Sequence, residues 1–175
     1  SMFVARVSET ALTAVSLAFP LQNLLIAFGV GTGVGMASYL SRKHGEKDSE
    51  SATKAAGNGI TLAFITWVVF AILGLSIVKP FLSLFTDDNE LLRLSTGYSE
   101  IVMVLSLFML LSMMNERILQ GTGDSMSSMI SQMTGAITNI ILDPVFIFTL
   151  KMGVNGAAIA TVIGQAVGCA ISFFF

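Results

Sequence analysis

Residues 55–78 read AAGNGITLAFITWVVFAILGLSIV, an uninterrupted run without an ionisable side chain, closed by Lys54 on one side and Lys79 on the other. At about 1.5 Å of rise per residue, a helix over this run is ~36 Å long and exceeds a hydrocarbon core of about 30 Å. The same test applied outward finds four more apolar stretches between charge clusters. The spans are predicted at 10–41, 55–78, 91–118, 125–150 and 154–175. Composition agrees: 54% of the 175 residues are hydrophobic and 11% charged, against roughly 25% charged in a soluble domain. The mean hydropathy is +0.81. These values exclude a soluble fold and a disordered chain. With 9 Lys+Arg against 11 Asp+Glu there is no basic face for nucleic acid. Cys169, the one cysteine, cannot close a disulfide within the chain.

The connectors are short and carry turn chemistry: Gly45-Glu46-Lys47-Asp48, Thr86-Asp87-Asp88-Asn89, Gly121-Thr122-Gly123-Asp124 and Met152-Gly153-Val154-Asn155-Gly156. No linker or low-complexity tract divides the chain, so the fold class is all-α, a single polytopic transmembrane helix bundle. Orientation follows from Lys and Arg, which favour the cytoplasmic side. Arg42, Lys43, Lys47 and Lys54 crowd the first connector and place it inside, so the first span runs from outside to inside. No charged leader precedes the first span, and the last stretch ends on Phe173-Phe174-Phe175. The expectation is a truncated piece of a larger membrane protein.

Asp143 is the side chain that most needs a reason, because an acid inside a span costs about 2.5–3.5 kcal/mol to insert and marks function or pairing. It lies ~12 Å below Lys151 and ~28 Å above Asp124 along the helix. Asn139 precedes it by four residues and shares its face, so an amide oxygen and a carboxylate can converge on one cation or proton. Pro144 lacks an N–H and frees the carbonyl of Ile140 beside that face. Thr161, ~15 Å past Lys151, and Tyr98, ~10 Å into the third span, offer oxygens at a similar depth. Packing or interfacial anchoring is the competing role for both.

Gly29-Val30-Gly31-Thr32-Gly33-Val34-Gly35 has glycines at nucleotide-loop spacing but lies within a membrane helix, without the preceding strand that such a loop requires. Gly31, Gly33 and Gly35 read instead as helix-packing or bending positions, as does Gly164 with Gly168. Pro20, followed by Gln22 and Asn23, is a candidate hinge. His44 stands in the charged inner connector, and no second histidine supports a catalytic metal.

Six segments appear in order: Ala11 to Pro20, Gly31 to Gly35, Ser41-Arg42-Lys43-His44-Gly45, Gln120 to Asp124, Asn139 to Pro144 and Gly156 to Thr161. Together they resemble the amino-terminal lobe of the multidrug and toxic compound extrusion (MATE) family, near its bacterial multidrug branch. The resemblance implies helices 2 to 6 of a six-helix lobe lacking its first helix, with a second six-helix lobe as partner. It implies an antiporter of the bacterial cytoplasmic membrane, coupled to H⁺ or Na⁺, that exports small organic cations by alternating access. It assigns the coupling-ion site to Asp143, Asn139 and Thr161, joined in the family by an acid on the first helix, at or before Ser1. Tyr98 corresponds to a cavity tyrosine, and Asn115 and Glu116 to polar positions that contact ion or substrate. No cofactor or catalytic residue is implied beyond the coupling ion.

A lipid-linked oligosaccharide flippase of the same superfamily would share the helices but favour central basic residues, which the spans lack. A membrane-embedded transferase would need a second acid or a histidine near Asp143. A non-transporting assembly subunit is the third alternative, should the short chain be the natural product.

Overall fold

The computed structural model describes residues 9–175. Residues 1–8, with Ser1, at or before which the resemblance places the first-helix acid, lie outside the described residues. Among the described residues every regular element is helical: α1 (Glu9–Gly45), α2 (Ser49–Ser76), α3 (Val78–Leu82), α4 (Asn89–Val104), α5 (Leu107–Gly121), α6 (Ser125–Pro144), a π-helical turn (Val145–Thr149) and α7 (Gly153–Phe174).

Acids begin three of these helices by occupying amide groups that have no intrahelical partner. Asp48 accepts from the Ser51 N–H at 3.1 Å, Asp88 from those of Glu90 and Leu91, and Asp124 from the N–H and hydroxyl of Ser127 at 3.1 and 2.6 Å. The Ser127 bonds, the hydroxyl's foremost, hold the Asp124 carboxyl below its usual range, so this cap stays charged to lower pH than a free aspartate. At the end of α5 the Asp124 N–H returns to the Leu119 carbonyl at 2.8 Å. That reversal requires the left-handed backbone of Gly123, at φ +95°.

Four helices are individually long and apolar enough to cross a membrane: α1, α2, α6 with the π-turn, and α7. The stretch between α3 and α6 is a bent pair, with α4 and α5 meeting at 48° across Leu105 and Ser106. No proline or glycine causes this break. Its polar groups are answered locally and from a distance: the Ser106 hydroxyl donates to the Met103 carbonyl at 2.7 Å, and the Trp67 indole N–H of α2 donates to the Val104 carbonyl at 2.8 Å. Trp67→Phe keeps an aromatic ring but strands that carbonyl. It is expected to lower stability by about 1–3 kcal/mol, read as a lower unfolding midpoint in mild detergent; an unchanged midpoint would show that the break holds without the indole.

Two apolar clusters hold the bundle. One joins α1, α2 and α5 through Leu25, Met36, Leu40, Phe70, Leu110 and Met114. The other joins α1, α4 and α7 through Ala11, Val15, Ala18, Tyr98, Val102, Val154 and Ala158, with Ile147 of the π-turn. Large apolar side chains such as Ile65, Ile72 and Leu75 on α2 face outward, as the bilayer requires. Glycines set the tightest contact. A Cβ on Gly135 would lie 2.9 Å from the Gly164 carbonyl oxygen, and one on Gly164 would lie 2.8 Å from that of Gly135. The α6 and α7 backbones therefore touch, which only small residues permit.

The glycine run of α1 divides by face. A Cβ on Gly33 would meet the Arg117 side chain at 3.0 Å, whereas Gly31 and Gly35 have nothing within 4 Å and pack on no helix. Pro20 is exposed on α1, which remains one continuous helix through it.

Candidate functional site

The contact between Gly135 and Gly164 sets the site, because it brings the next turn of α6 against α7. There the Asn139 amide nitrogen donates to the Thr161 hydroxyl oxygen at 3.3 Å. The Thr161 hydroxyl in turn donates to the Ala157 carbonyl at 2.8 Å. With its nitrogen engaged, the Asn139 amide presents its oxygen as the acceptor for a cation or proton donor. Asp143 sits one turn further along α6 and is buried, with 5% of its surface exposed.

Past Asp143 the helix changes pitch. Proline at 144 removes an N–H from the α-helical ladder, and the chain continues as a π-turn in which Leu150 N–H bonds the Val145 carbonyl at 3.0 Å and Met152 N–H the Phe146 carbonyl at 3.1 Å. The start of α7 closes on this widened turn, since a Cβ on Gly156 would fall 2.8 Å from the Phe146 oxygen. Tyr98 reaches the same region from α4. It is buried among Ala11, Val15, Ile147 and Ala158 and lies within electrostatic reach of Asp143.

Asn139 and Thr161 stand on the wall of a cavity of about 350 Å³ between α5, α6 and α7. Its other polar lining comprises Ser112, Glu116, Gln132 and Gln165, with Ser131. Glu116 accepts from the Ser112 hydroxyl at 3.2 Å and shares the cavity wall with Gln132. Its neighbour Asn115 points away from the cavity and donates to the Ser172 hydroxyl at 3.2 Å, tying α5 to α7. Sequence reasoning singled out Glu116 but missed Ser112, Gln132 and Gln165. Their signal is helical spacing: Ser112 precedes Glu116 by one turn, Gln132 precedes Asn139 by two, and Gln165 follows Thr161 by one.

The wall presents one carboxylate, Glu116, among neutral amides and hydroxyls. Among the described residues no three His, Cys, Asp or Glu side chains converge on one point. Asp143 is not on this wall; it lies one turn beyond Asn139 along α6.

Residues 1–145 match the MatE family model. The chain is 33% identical over 157 residues to a probable multidrug resistance protein, YoeA, of Bacillus subtilis (strain 168), covering 87% of this chain and 34% of that protein. It is 31% identical over 156 residues to the multidrug export protein MepA of Staphylococcus haemolyticus (strain JCSC1435), covering 89% and 34%. It thus spans about a third of the length of these relatives. It superposes on the outward-facing conformation of a multidrug resistance MATE transporter with a TM-score of 0.94 at 30% identity, over 99% of this chain and 38% of that one. The score on an inward-facing conformation is 0.93 at 31% identity, over 98% and 39%.

Proposed function

Because this chain belongs to the MatE family, whose members are transporters and not enzymes, we propose that it forms helices 2 to 6 of one lobe of a multidrug antiporter in the bacterial cytoplasmic membrane. Its partners in the whole protein are a first helix and a second six-helix lobe. Asp143, with Asn139 and Thr161, holds the coupling ion, H⁺ or Na⁺. The cavity that Asn139 and Thr161 share with Glu116 takes small organic cations.

The observation that carries this reading is the buried carboxylate one turn from an amide already engaged with Thr161 on the wall of that cavity. Binding of a cation at Asp143 biases the lobes toward one of two arrangements in proportion to its differential affinity for them. The near-equal fit of this chain to outward-facing and inward-facing relatives supports a lobe that moves as a rigid body. Tyr98 packs against the π-turn from α4 and positions the region around Asp143.

The test is transport by the full-length protein in proteoliposomes. An imposed H⁺ or Na⁺ gradient is expected to drive ethidium exchange, and indifference to both gradients would remove the coupling assignment. Within this reading Glu116 supplies the negative charge on the substrate wall. Glu116→Gln preserves shape and hydrogen bonding and is expected to weaken ethidium binding about tenfold, as loss of a charge-assisted contact does. Fluorescence titration reads this directly, and an unchanged Kd would take Glu116 out of substrate recognition.

A further inference from the structure

A second groove, of about 570 Å³, runs between α1 and α2, and neither Asn139 nor Thr161 lines it. Gly31, Gly35 and Leu62 form one end, and Tyr39 and Lys54 the other. Each wall runs about 12 Å between these ends, since Tyr39 follows Gly31, and Leu62 follows Lys54, by eight residues.

The glycines give this groove its depth. A glycine inside a helix is less favourable than alanine, and most of those in the middle of this bundle recover that cost through close contact. Gly31 and Gly35 do not, because a Cβ on either would meet nothing within 4 Å. What they provide is open space along an apolar wall.

The mouth is cationic. Arg42 and Lys43 approach the Tyr39 ring, their charged groups 5.7 and 6.0 Å from its centroid, and Lys54 stands across from them on α2. Acids are present: Lys54 pairs with Glu50 at 2.6 Å, Lys43 with Glu46 at 2.7 Å and more loosely with Asp48, and Arg42 with Glu46 at 3.7 Å. The Lys54 and Glu50 side chains are 71% and 80% exposed, so that pair is solvated and readily exchanged. Between positions 42 and 54 four Lys and Arg outnumber three Asp and Glu. Between mouth and apolar end, Asn58 exposes an amide on the groove wall, ~15 Å along α2 from its Asp48 cap. Asn58 is one turn past Lys54, where the polar mouth gives way to the apolar span, and an amide there is best satisfied by an acceptor at the interface.

We propose that this groove binds one anionic glycerophospholipid of the inner leaflet. Its phosphate sits at Lys54, within reach of Arg42 and Lys43; its ester oxygens meet Asn58; and one acyl chain lies over Gly35, Gly31 and Leu62. The order of polar, amide-bearing and apolar surface along the groove matches the order of groups along such a lipid, and the sign of the mouth matches its headgroup.

Native mass spectrometry of the full-length protein, titrated with dioleoylphosphatidylglycerol or dioleoylphosphatidylcholine, tests this. A saturable adduct of the anionic lipid is expected, with weaker binding of the zwitterionic one. Lys54→Gln is expected to weaken the anionic adduct about fivefold and the zwitterionic one less, as loss of one basic residue at a headgroup does. Gly35→Leu fills the groove without meeting protein atoms and is expected to remove the adduct. Equal affinity for both lipids, or an anionic adduct indifferent to both substitutions, overturns the proposal. So does a Gly35→Leu protein that no longer folds, which would show that another helix of the transporter fills the groove.

Discussion

Asp143→Asn in the full-length protein is expected to abolish gradient-driven efflux of cationic dyes while leaving the bundle folded. Asparagine keeps the size of the side chain but can neither carry a proton between the two sides nor neutralise a cation. Shifting a two-state equilibrium from 1:99 to 99:1 takes about 5.5 kcal/mol of differential binding. With the charge gone, that source of bias is lost, and the gradient-driven rate is expected to fall at least about a hundredfold. The substitution removes a group whose charge costs about 2.5–3.5 kcal/mol at depth and keeps its size and hydrogen-bonding capacity. The Asn139–Thr161 bond does not involve Asp143. Efflux in proteoliposomes and the unfolding midpoint, measured together, separate lost coupling from lost structure. Undiminished gradient-driven efflux would remove Asp143 from the proposed coupling role.

Gly164→Leu should act in the opposite way, through structure first. A Cβ at this position would stand 2.8 Å from the Gly135 carbonyl oxygen and 3.0 Å from the Asn139 Cβ. The first of these is backbone in the middle of α6, which cannot turn aside as a flexible side chain would. The two helices must separate, at a cost of about 3 kcal/mol, and Asn139 must move away from Thr161. A fall of roughly 6 °C or more in the unfolding midpoint is expected, together with loss of coupled transport. Gly57→Leu is the matched control, since a Cβ there meets nothing within 4 Å. Equal tolerance of both substitutions would show that the α6–α7 contact is not tight in the working protein.

What could be read from the sequence followed from periodicity and from charge spacing. Asn139 and Asp143 share a face because four residues make about one helical turn, and similar depth on neighbouring helices was enough to group Thr161 with them. Contacts between elements far apart in the chain were not legible. Nothing near Leu105 and Ser106 announces a 48° break, because the group that answers the Val104 carbonyl is Trp67, thirty-seven residues earlier. The glycines of α1 look alike in sequence, yet Gly33 meets Arg117 while Gly31 and Gly35 face open space. Asn115 and Glu116 are adjacent, but a helix turns about 100° per residue. One therefore bonds Ser172 on α7 while the other faces the cavity beside Gln132.

The bend between α4 and α5 also bears on how such a chain enters its membrane. With 16 and 15 residues, the two halves are ~24 and ~22 Å long, and neither alone crosses a hydrocarbon core of about 30 Å. They also carry Glu100, Asn115, Glu116 and Arg117, which no isolated hydrophobic hairpin would hold in lipid. During synthesis α1 and α2 emerge first, with Trp67 already in place to receive the bend. Ser172, which bonds Asn115, and Gln132, which shares the cavity wall with Glu116, are made later. The polar face of this span is therefore completed by helices that follow it in the chain, and its bend by one that precedes it.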